Sequence, residues 1–110
     1  MEHFFEEEFK EKVLDSKVPV IMDFYADWCG PCRALSPAIE KIAAEYEGNV
    51  SVIKVDCDEC QDLAVEMAIK SIPTIVVMID GEEAARNVGY LKEEDLKKFI
   101  NKNIQKKDIN

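Results

Sequence analysis

The stretch Pro19-Val20-Ile21-Met22-Asp23-Phe24-Tyr25-Ala26 constrains this chain more than any other segment. A strand with one wet face alternates apolar and polar residues, whereas a run that is apolar on both faces has to be covered on both sides, as in parallel and mixed sheets packed between helices. Spanning a bilayer takes about 20 apolar residues, so neither this run nor Ile72 to Ile79 can cross one. One residue, Asp23, does not suit such a strand.

The flanking patterns supply the covering layers. From Pro31, the residues Leu35, Ala38, Ile39, Ile42, Ala43 and Tyr46 recur at the spacing of one helical face, and Gly48 stops the pattern. Phe5, Phe9 and Val13 predict an amphipathic helix over about residues 5 to 16. Val50 to Asp56 reads as a second buried strand, and Gln61 to Ala68 as a short helix. Thr74 to Ile79 is a β-branched strand, which Asp80-Gly81 turns back through Glu83 to Val88 as a hairpin. Leu96, Phe99, Ile100 and Ile104 mark a closing helix. Strands alternating with helices and ending in a hairpin predict an α/β fold with helices on both faces of a mixed sheet, and active sites in such sheets lie at the carboxyl ends of the strands.

With 110 residues the chain has the size of one domain, expected over residues 1–105 with a frayed tail at 106–110. A domain of this size buries enough apolar surface to fold without covalent help, so its four cysteines point to chemistry. The net charge of −9 argues against binding nucleic acid or an anionic membrane, since both require a basic surface. The acidic start, Met1 to Glu8, lacks the basic and apolar regions of a secretory signal, which predicts a soluble protein in the reducing cytoplasm; a monomer is expected.

Cys29-Gly30-Pro31-Cys32 falls between the buried strand and the strongest helix. A sulfur at a helix N-terminus faces unpaired N–H groups and the positive end of the helix dipole, both of which favour the thiolate, so Cys29 is the expected reactive thiol. Pro31 suits the first helical turn, where its missing N–H is not needed. Two intervening residues let Cys29 and Cys32 close a disulfide that a small shift opens.

Trp28-Cys29-Gly30-Pro31-Cys32 within Asp23 to Trp28, followed by Lys54-Val55-Asp56, Ser71-Ile72-Pro73-Thr74, Gly81-Glu82 and Val88-Gly89, resembles the thioredoxin family in order and spacing over about residues 3 to 105. The resemblance implies a central five-stranded sheet flanked by four helices, with the first strand reduced to a few residues around His3 to Phe5. It also implies a protein-disulfide reductase with a redox-active Cys29–Cys32 disulfide and no bound cofactor. In that reading Cys29 attacks a target disulfide, Cys32 resolves the mixed disulfide, Asp23 is a buried proton acceptor and Lys54 modulates it. Ile72-Pro73 takes the place of the family's cis proline. Trp28, Gly30, Pro31, Ile72, Pro73, Val88 and Gly89 form a flat surface for an extended substrate. Asp23 has a second reading, a structural aspartate satisfied by Lys54. Tyr25 stands where bacterial members commonly have tryptophan, and Pro37 is expected to kink the long helix. The chain has no Gly-rich dinucleotide fingerprint, so the hydride chemistry belongs to a partner, by resemblance a thioredoxin reductase.

Cys57-Asp58-Glu59-Cys60 is a second C-x-x-C. Together the pairs raise a rival from another class, a four-cysteine zinc domain or a non-enzymatic redox-dependent binding module. The spacing between the pairs exceeds the usual zinc-ribbon separation of about 15–20 residues, and Asp58 and Glu59 oppose further negative charge on the sulfurs. Three readings stay open for this pair: unreactive thiols, a regulatory site, or a second catalytic dithiol. Cys57 is expected to be buried and Cys60 exposed. His3, the only histidine, is expected to be solvated.

Overall fold

A computed structural model describes residues 1–105 of the chain. Four strands, β1 (Val20–Tyr25), β2 (Ser51–Asp56), β3 (Thr74–Ile79) and β4 (Glu82–Val88), form one mixed sheet in the order β2-β1-β3-β4. β1 and β2 run parallel, and β3 is antiparallel to both β1 and β4. β1 is therefore central, and Val20 to Phe24 are all buried, as its uninterrupted apolar run requires. Three α-helices accompany the sheet: α1 (Gly30–Glu45), α2 (Gln61–Glu66) and α3 (Glu93–Ile104).

Alternation along β1 and β3 divides the core in two. Met22, Phe24, Val76 and Met78 pack with Val55, Cys60 and Leu63, while Ile21, Ile75 and Val77 pack with Leu35, Ile39 and Ile42 of α1 and Leu96 and Ile100 of α3. Successive side chains of a strand point to opposite faces, so a slip of one residue would exchange the two sets and pair neither with its helices. Pro37 lies inside α1, which continues through it to Glu45.

The N-terminal segment departs from expectation in three respects. The reduced first strand does not form: residues 1–5 take no place in the sheet, which has four strands among the described residues. Their contribution is made through side chains instead, with Phe4 buried in the core and His3 Nε2 2.7 Å from Glu59 Oε1. His3 is exposed, as expected, and is also paired there. The amphipathic helix over 5–16 is a 3-10 turn at Glu6–Glu8 followed by a π turn at Lys10–Leu14. The i→i+5 bond from Asp15 N–H to Lys10 O gives the second piece its wider winding; Val13 within it is buried, and Phe5, ahead of the 3-10 turn, is exposed. Three α-helices and this irregular segment replace the expected four helices. α2 also ends earlier than expected, at Glu66, with Ala68 in a left-handed conformation.

The hairpin joining β3 and β4 forms at Asp80-Gly81, with positive φ at both residues (52° and 80°), the backbone a two-residue I′ turn requires. A side chain at position 81 would also meet Leu14 O at 3.0 Å. The expected tail at 106–110 lies outside the described residues.

Candidate active site

The carboxyl end of β1 leads through Ala26 to Trp28 directly into α1, and the two cysteines of the first motif sit on that junction. Cys29 is the N-cap of α1: its backbone is extended, and its sulfur accepts the Cys32 N–H at 3.3 Å. Pro31 occupies the first turn. Cys29 and Cys32 are joined in a disulfide with their Cα atoms 5.2 Å apart. Both are buried, in a small cluster with Ala26 against which Tyr25 and Ile72 pack.

The Ile72–Pro73 peptide bond is cis, and Cys29 Sγ lies 3.8 Å from Ile72 O. Pro73 is buried, and its carbonyl accepts the Gly89 N–H at 2.8 Å. Thr74 is in register with Val88, so the start of β3 and the end of β4 meet next to the sulfurs. Around them Trp28, Gly30, Pro31 and Val88 are exposed, Trp28 at 70% and Val88 at 60%, while Ile72 and Gly89 are half-buried. These residues form an open, largely apolar face beside the disulfide rather than part of the core.

Asp23, on the central strand β1 that leads into the site, is 1% exposed, and neither carboxylate oxygen has a hydrogen-bond partner in the protein. Burial without partners disfavours the anion, and the carboxyl is pushed up to about 6, with the Lys54 charge acting in the opposite direction. Lys54 is paired with Asp23 across the β1–β2 ladder. Its ammonium, however, donates to Ser36 Oγ at 2.9 Å and sits 4.5 Å over the Tyr25 ring. The reading in which Lys54 satisfies Asp23 is therefore corrected: the lysine acts on the carboxylate through space and is held by other groups.

Cys57 and Cys60 reverse the expected exposure. Cys60 is the N-cap residue of α2 and is fully buried among Phe4, Val55 and Leu63, because α2 packs that end onto the core; Cys57, just past β2, is half-buried. Both thiols are pushed up to about 11, first by burial and then by neighbouring carboxylates. Among the described residues no group of three or more His, Cys, Asp or Glu side chains is placed to hold a metal, and the two cysteine pairs form no four-sulfur site.

Two contacts escaped the sequence reading. Ser36 lies four residues after Cys32, on the same helical face, so its position near the site was available from helix periodicity. Asp58, whose Oδ2 accepts the Trp28 indole N–H at 2.9 Å, joins residues 30 positions apart, and no local pattern signals such a pairing.

A disulfide that closes at a helix N-terminus, next to an open apolar face, defines a thiol–disulfide oxidoreductase. Comparison with known proteins agrees. The Thioredoxin family profile matches residues 1–102. Thioredoxin C-2 of Corynebacterium nephridii is 42% identical over 99 residues, covering 90% of this chain and 92% of that protein. Thioredoxin 1 of Nostoc sp. is 42% identical over 96 residues (87% and 90% covered), and thioredoxin of Rickettsia felis 43% over 96 residues (87% and 91%). The chain belongs to the thioredoxin family, whose members act on disulfide substrates through a redox-active disulfide and are reduced by thioredoxin reductase.

Proposed function

We propose that the chain, as a single domain over residues 1–105, is a cytoplasmic protein-disulfide reductase. The observation that carries this reading is the position of Cys29: an N-cap sulfur 3.8 Å from the Ile72 carbonyl, on the rim of the face formed by Trp28, Gly30, Pro31, Ile72, Val88 and Gly89. In the reduced protein the Cys29 thiolate attacks one sulfur of a target disulfide. A Cys29–target bond forms, the target S–S bond breaks, and the first target sulfur leaves as a thiolate. The Cys32 thiolate then attacks Cys29 Sγ, closing the Cys29–Cys32 disulfide and expelling the second target thiolate. Both target thiolates take protons from solvent.

Asp23 accepts the proton that Cys32 gives up. With its carboxyl near 6 it is mostly ionised at neutral pH, yet basic enough to take a proton. Lys54 limits how far burial raises that carboxyl. An extended substrate strand pairs with the backbone of Ile72, next to Pro73, while Trp28 and Val88 cover its side chains. A surface of this kind selects targets by backbone and apolar contact, and a thioredoxin reductase returns the oxidised protein to the dithiol.

Insulin reduction driven by dithiothreitol tests the assignment. Cys29→Ser is expected to fall to the uncatalysed background and Cys32→Ser to accumulate a mixed disulfide with the target. Wild-type turnover by Cys29→Ser would remove the proposal.

A further inference from the structure

The turn after β2 holds a second pair of thiols that the reductase cycle does not use. Asp56 O accepts both the Glu59 N–H at 3.1 Å and the Cys60 N–H at 2.7 Å, so residues 56–60 wind as one helical turn. Residues three apart on such a turn have Cβ atoms about 5–6 Å apart, and a disulfide needs about 3.5–4.5 Å. Closure thus requires a movement of only about 1–2 Å. The two side chains already share one apolar cluster, with Cys60 buried and Cys57 packed against it, half open to solvent. The turn is also tied to the docking face. Cys57 N–H bonds to Tyr25 O at the end of β1 (2.8 Å), and between the two cysteines Asp58 holds the indole N–H of Trp28.

We propose that Cys57 and Cys60 are a second redox site, closed to an intramolecular disulfide by a peroxide, whose state is transmitted through Asp58 to Trp28 on the docking face. Cys57, the accessible sulfur, reacts first. Its thiolate attacks a peroxide oxygen, an S–O bond forms, the O–O bond breaks, and hydroxide leaves and is protonated to water. The Cys60 thiolate then attacks the Cys57 sulfenic acid, forming the S–S bond and releasing a second water. Two thiols and one hydrogen peroxide give one disulfide and two waters.

The surroundings make this site slow. Asp56, Asp58 and Asp23 oppose charge on Cys57, and Glu6, Glu59 and Asp56 oppose it on Cys60. With thiols near 11, about one in 10⁴ is ionised at pH 7, and oxidation speeds up about tenfold per pH unit. The pair therefore responds to sustained oxidant and not to each catalytic turnover.

The test uses the full chain with Cys29→Ser and Cys32→Ser, so that only Cys57 and Cys60 can oxidise and failure of the reductase reading does not affect the result. Hydrogen peroxide is added at pH 8. The fraction of Cys57–Cys60 disulfide is read by peptide mass spectrometry, and the emission of Trp28, the only tryptophan, is followed in the same samples. The expected result is loss of both thiols as one crosslinked peptide, with a change in emission on the same time course that dithiothreitol reverses. Adding Cys57→Ser, at a half-buried position, is expected to abolish both signals. Thiols that remain free, oxygen addition without a crosslink, or a crosslink that leaves Trp28 emission unchanged would each overturn the proposal.

Discussion

Asparagine at position 23 isolates the electrostatic cost of the buried carboxylate. Asp23 titrates near 6 in the fold against an ordinary value of 3.8, a rise of about 2 units, and at 1.36 kcal/mol per unit this is about 3 kcal/mol. Because the folded value lies above the unfolded one, the native state binds more protons between them. The favourable contribution is complete below about pH 4 and is lost as pH rises through about 6, where the ionised group weighs against folding by about 3 kcal/mol. Asp23→Asn keeps the size and neutrality of the protonated acid at every pH. Urea unfolding of the oxidised proteins at pH 4 and pH 8 measures the difference. With a denaturant slope of about 2 kcal/mol per molar, the midpoint of Asp23→Asn should exceed wild type by about 1.5 M at pH 8 and match it at pH 4. An equal gap at both pH values, or a less stable variant at pH 8, would refute the desolvation argument. In the proposed mechanism the same variant lacks the proton acceptor, so release of target from Cys29 should slow at neutral pH while formation of the mixed disulfide is retained.

Lys54→Met removes the one opposing charge on Asp23, so the carboxyl is expected to titrate above 6; carbon-13 NMR of the carboxyl reads this directly, and an unchanged or lower value contradicts it. Gly81→Ala has to place a Cβ 3.0 Å from Leu14 O at φ +80°, whereas Gly48→Ala at φ +90° meets no atom within 4 Å. Left-handed strain alone costs about 1–2 kcal/mol, so thermal unfolding should show Gly81→Ala losing more than Gly48→Ala, which loses about that amount. Trp28→Ala removes the most open apolar contact beside Cys29, and KM for a protein disulfide is expected to rise about tenfold, equivalent to about 1.4 kcal/mol. Turnover of a small-molecule disulfide should stay within about twofold of wild type, because it does not span the docking face; equal losses on both substrates would place Trp28 in the chemistry.

Segments whose structure depends on their own periodicity were legible in the sequence. The β1 run, the α1 face from Leu35 to Ile42 and the Asp80-Gly81 turn all fold as their patterns require, and Cys29 at a helix start is a local property that spacing reveals. The first segment failed for the opposite reason. Phe5, Phe9 and Val13 satisfy a helical template, but burial of Phe4 and the π turn at Lys10–Leu14 decide which of them faces inward. The cysteines of the second pair were misplaced because the exposure of an N-cap residue depends on what the helix end packs against.

By itself the sequence determined the class of fold, the junction that carries the dithiol and the oddity of Asp23, since each follows from residues within one turn or strand. Tertiary structure alone decided that Lys54 is held by Ser36 and Tyr25 and leaves Asp23 without a partner, and that Asp58 ties the second cysteine turn to Trp28. Such contacts join residues 18 to 30 positions apart. They exist only once hydrophobic burial has stacked β2 and the turn after it against β1, because short-range preferences carry no information about which distant side chains that packing brings together.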